Sequence, residues 1–352
     1  MTDMSDRKNT IALFKAHKRS LSDKARYNFE SDMRRWCAWR GGDHALTVAD
    51  PYEVRDFVLH CATTGFERGP LKLASIAHLL SSLASLHVRV LEAPDPTKNI
   101  IVKGEIKRLR RKLGTTQNQA VALRANHDVP LPTSSPAQDL RIPIPSIAKL
   151  RAACDVATPR GLRDRVLLGV GENLGRRSRY LHLFNVDDIV RRPDGHGAVL
   201  IRRSKTDQLG AGTTKIVSAR TMNDLTAWTT WRAKHAPDAG DALLVSIDQT
   251  GRVGGRLSPW GINYALRRVV VDGILASHPD TSDDDAWAVA REVSSHGFRI
   301  GLAQDGVAAN AEARELCNKG GWDDERRPLS YARKLEPNHG AVARLRHLVP
   351  LR

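Results

Sequence analysis

The chain has 352 residues and is strongly basic, with 55 lysines and arginines against 39 aspartates and glutamates and a formal charge of +16. This length is enough for two domains with separate cores, and the charge favours a polyanion such as nucleic acid as the partner. A membrane partner is not expected, because no apolar run approaches the roughly 20 residues that span a bilayer.

The N-terminal segment Met1–Lys8 lacks the apolar stretch of a signal peptide, so we expect a cytoplasmic protein. We interpret residues 1–19 as a tail in front of the first domain. The cysteines lie far apart in the chain, which predicts buried free thiols and argues against a disulfide framework or a zinc site. They are Cys37, Cys61, Cys154 and Cys317.

A helical domain is predicted over residues 20–113. Asp50 is the predicted N-cap of one of its helices, with Pro51 at the first helical position and Glu53 completing a capping box. Apolar periodicity predicts a further helix from Leu71 to Val90.

The last helix of this domain, predicted from Ile100 to Leu113, is rich in basic residues. Such a run can be a solvated helix face, but the charge of the whole chain favours contact with nucleic-acid phosphates. The residues predicted to make this contact are Lys103, Lys107, Arg108, Arg110, Arg111 and Lys112.

Prolines interrupt the pattern over residues 114–146, which predicts an extended interdomain linker. Its length would let two domains close around a duplex as a clamp. Residues 147–352 are predicted to form the second domain, which mixes helices with a small sheet around Val199 to Val217. Within it, Ser258 is a predicted N-cap followed by Pro259.

The acidic run Asp283-Asp284-Asp285 follows a proline in the second domain. A two-metal nuclease needs carboxylates that converge from separate elements, so we interpret these adjacent acids as an exposed loop and not as a metal site.

Four short segments of the second domain carry the functional signal. In chain order they are Asn173-Leu174-Gly175-Arg176-Arg177-Ser178-Arg179, then Ile201-Arg202-Arg203-Ser204-Lys205-Thr206-Asp207 with the glycine-containing turn after it, then Ser294-Ser295-His296-Gly297-Phe298-Arg299, and finally Gly320-Gly321-Trp322 with Tyr331 nine residues later. In this order and spacing they resemble the tyrosine recombinases, the lambda-integrase-like family. The resemblance covers most of residues 20–352.

The resemblance implies a mainly α fold with a small β-sheet, in which a helical core-binding domain and a mixed α/β catalytic domain form a clamp on DNA. It implies site-specific recombination through a 3′-phosphotyrosine intermediate and a Holliday junction, without metal, ATP or another cofactor. The family places its first arginine on a helix and its lysine on a β-hairpin. By this resemblance the catalytic residues are Arg176, Lys205, His296, Arg299, Trp322 and Tyr331.

The residue types suit that chemistry. A phosphodiester gains negative charge in its five-coordinate transition state, and two guanidiniums such as Arg176 and Arg299 can neutralise it. His296 and Arg299 are three residues apart, so on a helix both reach the same phosphate. The indole N–H of Trp322 is a further donor.

The predicted nucleophile, Tyr331, has a phenol whose usual pKa is about 10, so a base such as His296 and nearby cations would have to favour its oxyanion. Lys205 is the predicted general acid for the leaving deoxyribose hydroxyl.

The resemblance also implies an assembly. We expect double-stranded DNA with an inverted-repeat target as the partner, and a homotetramer on two such sites. A terminal helix of about residues 338–352 would dock into the neighbouring subunit through Val342, Leu345 and Leu348. Further DNA contacts are predicted at Arg202, Arg203, Asn263, Arg267 and Arg268. Such a protein would be encoded by a bacterium, phage or plasmid and associate with the nucleoid.

One position departs from the family pattern. Three residues after the first arginine the family usually carries an acidic residue, and this chain has Arg179. Glu172 lies four residues before Arg176, so on a helix it could brace that arginine instead.

Two alternatives stay open at the level of sequence. A relaxing topoisomerase of type IB uses the same chemistry as a monomer, although the predicted terminal helix and compact core-binding domain speak against it. A basic architectural protein on the same fold would bind DNA without cutting it, and Arg179 keeps this interpretation open.

Overall fold

A computed structural model of the protein describes residues 4–41, 46–67, 69–113, 120–202 and 212–333. The chain divides into two compact units, Met1–Asn118 and Gln119–Arg352, each with its own apolar core. The predicted fold class is confirmed, since the described residues are mostly helical with small antiparallel sheets. In these ranges no helix combines the length and apolarity that crossing a membrane requires.

The first unit is built from helices joined by irregular segments. Its helices are α1 (Met4–Ser20), α2 (Asp23–Arg40), α3 (Pro51–Thr63), α4 (Leu73–Arg89) and α5 (Ile100–Leu113). Trp36 and Phe57 are fully buried between α2 and α3, with ring centroids 4.9 Å apart in an edge-to-face contact. Such aromatic pairs add to the apolar burial that holds small helical domains together.

Local sequence signals explain where α3 begins and which side of α5 is buried. The predicted capping box of α3 is present, with Asp50 accepting a hydrogen bond from the backbone of Tyr52 and Glu53 bonding back to the Asp50 backbone. In α5, Val102 and Leu109 are buried and all six predicted phosphate-contact residues are exposed. One face of α5 is therefore apolar and the other strongly basic.

The expected N-terminal tail is mostly a helix. Residues 4–20 form α1, and Leu13 and Phe14 pack against the core of the first unit. The ring centroids of Phe14 and Phe29 are 5.7 Å apart. These half-buried apolar side chains attach α1 to the first unit, which the sequence before residue 20 did not indicate.

The second unit contains helices around a three-stranded antiparallel sheet and a separate hairpin. Its helices are α6 (Ile147–Ala153), α7 (Pro159–Leu174), α8 (Ser178–Leu181), α9 (Ala219–His235), α10 (Pro259–Ser277), α11 (Asp283–Ala290), α12 (His296–Ala308), α13 (Ala313–Gly320) and α14 (Arg326–Ala332). The sheet is β1 (Ile189–Arg191), β2 (Gly197–Ile201) and β3 (Thr213–Val217), and the hairpin is β4 (Val245–Ile247) with β5 (Val253–Arg256).

Residues 120–146, expected to be part of an extended linker, pack on the second unit. Leu123 is buried and its N–H donates to the carbonyl of Gly297 at 3.0 Å. The carboxylate of Asp305 accepts from Arg124 Nε and from the N–H of Ala125, both at 2.7 Å. The prolines make this segment irregular, but its apolar residues and these long-range bonds join it to α12.

The acidic run at residues 283–285 is not a loop as expected. It is the first turn of α11, with Ser282 as the N-cap that accepts from the N–H of Asp285. Carboxylates are favourable at this position because they face the positive end of the helix dipole. Across the described ranges no group of histidine, cysteine, aspartate and glutamate side chains is arranged to hold a metal ion.

Candidate active site

The segment that carries Arg176 begins where α7 ends. Gly175 follows α7 with φ of 56°, a left-handed conformation that favours glycine. A Cβ on Gly175 would lie 2.7 Å from Leu302 Cδ2, so the site is also too close to α12 for a side chain. Arg176 and Arg177 therefore form the connection between α7 and α8, and Arg176 is not on the helix as the family pattern implied.

Three polar residues join this connection to the start of α12. The N–H of Ser178 donates to Ser295 Oγ at 2.7 Å, and the N–H of Ser295 donates to Asn263 Oδ1 at 2.8 Å. The Asn263 amide then donates to Ser178 Oγ at 3.2 Å. Because each residue bonds both others, the backbones beside Arg177 and His296 have a fixed relative position.

His296 and Arg299 lie one turn apart at the start of α12, as their spacing predicted. Arg299 donates to the carbonyl oxygens of Gly320 at 2.5 Å and Gly321 at 3.2 Å, and its guanidinium lies 4.1 Å from the ring centroid of Trp322. A planar guanidinium suits this combination of forked donation and stacking.

The two glycines before Trp322 allow the close approach of other side chains. Gly321 ends α13 with φ of 62°, and a Cβ there would lie 2.9 Å from Arg176 Nη2. A Cβ on Gly320 would overlap the Trp322 ring. Side chains at these positions would displace Arg176 or Trp322.

Tyr331 lies on α14 beside this turn. Its ring centroid is 5.6 Å from that of His296, edge to face, and 6.3 Å from that of Trp322. The charge of the Arg299 guanidinium acts on the Tyr331 side chain. The structure thus brings together five of the six residues predicted to be catalytic.

The pocket formed by these residues is strongly cationic. Its charged lining in the described residues is Arg176, Arg177, Arg179, Arg299, Arg327, Asp323 and Asp324. Burial lowers the pKa of Arg176, and burial with the charge of Arg177 lowers the pKa of Arg299 to about 10, so both stay charged at neutral pH. Closely spaced buried guanidiniums repel one another, and a phosphate between them relieves that repulsion.

Two hydrogen-bond donors at the pocket are buried and make no bond within the described residues. They are Nε of Arg176 and the indole N–H of Trp322. Buried donors normally have a partner, because leaving one unpaired costs about 1–3 kcal/mol. Both therefore favour an acceptor at this site.

His296 is held by a residue that the motif does not include. Nε of Arg177 lies 3.3 Å from His296 Nδ1. Burial, followed by the charges of Arg177 and Arg299, lowers the pKa of His296 to about 4, so the imidazole is neutral at neutral pH. No motif comparison could have found Arg177, because the contact joins positions 119 residues apart.

The predicted general acid, Lys205, lies outside the described residues, and so does Arg203. The strands on either side, β2 and β3, are described and pair from Gly197–Val217 to Ile201–Thr213. Lys319 Nζ donates to the Ile216 carbonyl at 2.7 Å, and Lys215 Nζ donates to the Asn318 carbonyl. These reciprocal bonds fasten β3 to α13, beside Gly320 and Gly321, and they were not foreseen from the sequence.

The structure does not place Glu172 at Arg176. The charges that act on Glu172 are those of Arg151, Arg220 and Asp305, and burial raises its pKa. Arg179 donates to the Tyr180 hydroxyl at 2.8 Å and stacks over its ring. The suggested brace from Glu172 is therefore unsupported, because its position at the end of α7 directs it toward other partners.

Three of the predicted DNA-contact residues of the second unit have internal partners. Arg202 Nε donates to buried Asp188 at 2.6 Å, Arg267 Nε donates to the Val293 carbonyl at 3.0 Å, and Asn263 belongs to the serine network described above. Arg268 is half-buried on α10. Asn263 and Arg267 thus have structural partners within the described residues, and their predicted contact with DNA stays a prediction.

Comparison with known proteins agrees with this geometry. The chain is 24% identical to the Cre recombinase of Escherichia phage P1 over 345 residues, which are 96% of this chain and 92% of that protein. No family model matches the chain. The predicted resemblance to the tyrosine recombinases is confirmed.

Two solved structures show the same fold. The integrase of transposon Tn1549 in complex with transposon right-end DNA has a TM-score of 0.59, with 15% identity over 97% of this chain and 99% of that chain. The XerH site-specific recombinase bound to its palindromic difH substrate has a TM-score of 0.54, with 14% identity over 91% of this chain and 77% of that chain.

Proposed function

We propose that this homologue of the tyrosine recombinases is a site-specific DNA recombinase that cuts and rejoins strands through a 3′-phosphotyrosine. The observation that carries the proposal is the convergence of Arg176, Arg299, Trp322 and Tyr331 on one cationic pocket, with the ring of His296 against that of Tyr331. Similarity to Cre along almost the whole chain supports it.

In the proposed reaction, Arg176 and Arg299 bind the non-bridging oxygens of the scissile phosphate, and the Trp322 indole N–H adds a third donor. The Tyr331 oxygen attacks phosphorus, and the bond from phosphorus to the deoxyribose 5′ oxygen breaks. Arg299, whose charge acts on the Tyr331 side chain, stabilises the negative charge that develops on the tyrosine oxygen as the hydroxyl proton is lost to water.

The leaving 5′ oxygen needs a proton, which we assign to Lys205 on the connection between β2 and β3. The link to Tyr331 retains the energy of the cleaved ester, so the hydroxyl of a second strand can displace the tyrosine without a cofactor. Two such exchanges would form and then resolve a Holliday junction on paired inverted-repeat sites, with four protomers.

A covalent capture experiment tests the proposal. Purified protein is incubated with sheared, nicked DNA, denatured, and the protein-linked fragments are isolated and sequenced. We expect fragments that share an inverted-repeat sequence and that disappear with Tyr331→Phe. Tyr52→Phe makes the same change on the first turn of α3 in the first unit and should leave the fragments in place.

The result also separates the rival functions. Binding without any covalent fragment, from wild type and variant alike, would contradict the recombinase and favour the architectural protein, for which Arg179 in place of an acidic residue is the specific argument. Covalent fragments without a shared sequence would instead favour a relaxing topoisomerase.

A further inference from the structure

We propose that Arg177 is a positioning residue that fixes His296 as the neutral tautomer with its proton on Nε2, so that His296 meets the scissile phosphate as a hydrogen-bond donor. The proposal rests on the proposed function for the identity of the phosphate. It assigns a role to a side chain outside the six-residue catalytic motif.

The direction of the hydrogen bond follows from the two side chains. Nε of Arg177 lies 3.3 Å from Nδ1 of His296. A guanidinium has only donors and keeps its proton, so Nδ1 must be the acceptor. A neutral imidazole that accepts at Nδ1 carries its proton on Nε2, which leaves that nitrogen as a donor.

The surroundings of His296 favour the neutral form. Arg177 from the connection before α8 and Arg299 from α12 face it with positive charge, and Tyr331 from α14 faces it with its ring. A protonated imidazole would add a third cation and would direct a second N–H at the Arg177 donor. Both the burial and the charges therefore oppose protonation.

The two partners are also held in place by their backbones. Ser178, next to Arg177, donates to Ser295, next to His296, and Asn263 bonds both serines. This network keeps the Arg177 and His296 side chains within reach of each other without depending on either. The contact is thus built into the fold.

The same geometry changes the role expected of His296. With Nδ1 engaged by Arg177 and the proton on Nε2, neither nitrogen is free to accept the proton of Tyr331. The Tyr331 side chain is instead within electrostatic reach of Arg299. In the proposed reaction Arg299 stabilises the charge that develops on the Tyr331 oxygen during attack, and His296 remains a donor.

NMR of the full chain labelled with ¹⁵N-histidine tests this without DNA. The His296→Gln spectrum identifies the His296 resonances. In the wild type at pH 6 we expect a neutral ring with the proton on Nε2, because the pKa of His296 is about 4. In Arg177→Met we expect the pKa to rise by at least about one unit, since a positive charge is lost and the Nδ1 lone pair is freed.

Two variants control for fold and charge. Arg179→Met removes one positive charge from the same pocket, but Arg179 bonds Tyr180, so the His296 resonances should keep the wild-type tautomer. Arg177→Lys keeps the positive charge but on a side chain of different length and geometry. The pKa of His296 should therefore stay low, while the tautomer with its proton on Nε2 should no longer dominate over the one with its proton on Nδ1. A His296 proton on Nδ1 in the wild type, or identical His296 spectra in wild type and Arg177→Met, would overturn the proposal.

Activity gives an independent result. With DNA at saturating concentration, covalent attachment by Arg177→Met should slow about tenfold, the effect of losing one hydrogen bond. If the wild type forms no covalent complex, the proposed function fails while the NMR result still decides whether Arg177 sets the tautomer. The two proposals can therefore fail separately.

Discussion

The guanidiniums around the candidate site differ in what holds them. Arg299 is fixed by two backbone carbonyls and the Trp322 ring, and Arg177 by His296. Arg176 is buried, its Nε makes no bond within the described ranges, and its guanidinium lies over the Tyr180 ring at 6.0 Å, close to where a Cβ on Gly321 would stand. Arg176 is therefore the most sensitive of the three to changes in its neighbours.

Gly321→Ala tests that sensitivity. The left-handed conformation at Gly321 and its closeness to Arg176 both oppose a side chain, so we expect a loss of about 1–2 kcal/mol in unfolding free energy and a more than tenfold loss of covalent attachment. Gly240→Ala is the matched control, since Gly240 has φ of 69° but nothing within 4 Å of the point where a Cβ would lie. Urea unfolding should show a lower free energy of unfolding for both variants. If both variants also lost covalent attachment to the same extent, the role of the Arg176 contact would be contradicted.

At the scale of residues, the sequence could indicate a candidate catalytic set but not the contacts that position it. His296 and Arg299 are three residues apart, and helix geometry places them together. Arg177 and His296 meet across 119 positions, and Glu172 faces Arg151 and Arg220 instead of Arg176. Those contacts depend on how α7 and α12 pack, which spacing does not specify.

Among the elements, β3 and α13 matter most for the proposed chemistry. The strand β3 follows the connection that contains Lys205, and α13 leads into the turn Gly320-Gly321-Trp322. Lys319 and Lys215 each donate to a carbonyl of the other element. Burial, followed by the neighbouring Lys215, lowers the pKa of Lys319, while a cation donating to a carbonyl remains a strong contact. Movement of β3 would carry the proposed general acid with it.

Lys319→Met tests this link. The variant keeps most of the side-chain volume but loses the bond to Ile216, so we expect the release of the 5′ hydroxyl to slow about tenfold, with about 1–3 kcal/mol lost in stability. The measurement is a burst assay on a suicide substrate, a nicked site that traps the covalent complex. Lys234→Met removes an exposed lysine from the end of α9 and should have neither effect. An unaltered burst rate in Lys319→Met would show that the bond does not position the connection.

Element boundaries were predictable where the signal is local. Asp50 and Ser258 were recognised as N-caps because a cap is encoded within about four residues. Residues 120–146 were not recognised as part of the second unit, because their burial depends on Gly297 and Asp305, far along the chain. Proline content predicts irregular backbone, and irregular backbone can still be packed.

The basic face of α5 leads to a prediction on salt dependence. Its six lysines and arginines are exposed, and Arg108 alone among them is bonded to Glu105 within the described part of the chain. The logarithm of the association constant for DNA falls as the logarithm of the salt concentration rises. If this face binds phosphates, Lys107→Gln or Arg111→Gln should each make that slope less steep by about 0.9. Fluorescence anisotropy on duplex DNA at several salt concentrations gives the slope. Lys234→Gln, on the other unit, should leave the slope unchanged, and equal slopes in all variants would exclude α5 from the interface.

For the whole molecule, the two cores imply that DNA binding and chemistry can be impaired separately. The first unit buries its own apolar cluster around Trp36 and Phe57, and the second buries another around Trp228 and Phe298. Changes on α5 should therefore weaken binding without altering the pocket of the second unit. Assembly is a third property, and the segment predicted to control it lies outside the described residues.

Deleting residues 338–352 tests the predicted assembly. Val342, Leu345 and Leu348 recur at helical spacing, so their apolar stripe would dock into a neighbouring subunit. Because Tyr331 and the pocket precede the deletion, the truncated protein should still bind and attach to a single site. It should not join two sites, which native gel electrophoresis and analytical ultracentrifugation on one-site and two-site DNA can distinguish. Tetramers that persist on two-site DNA would place the subunit contact elsewhere, and loss of single-site attachment would mean that the terminal residues support the catalytic unit itself.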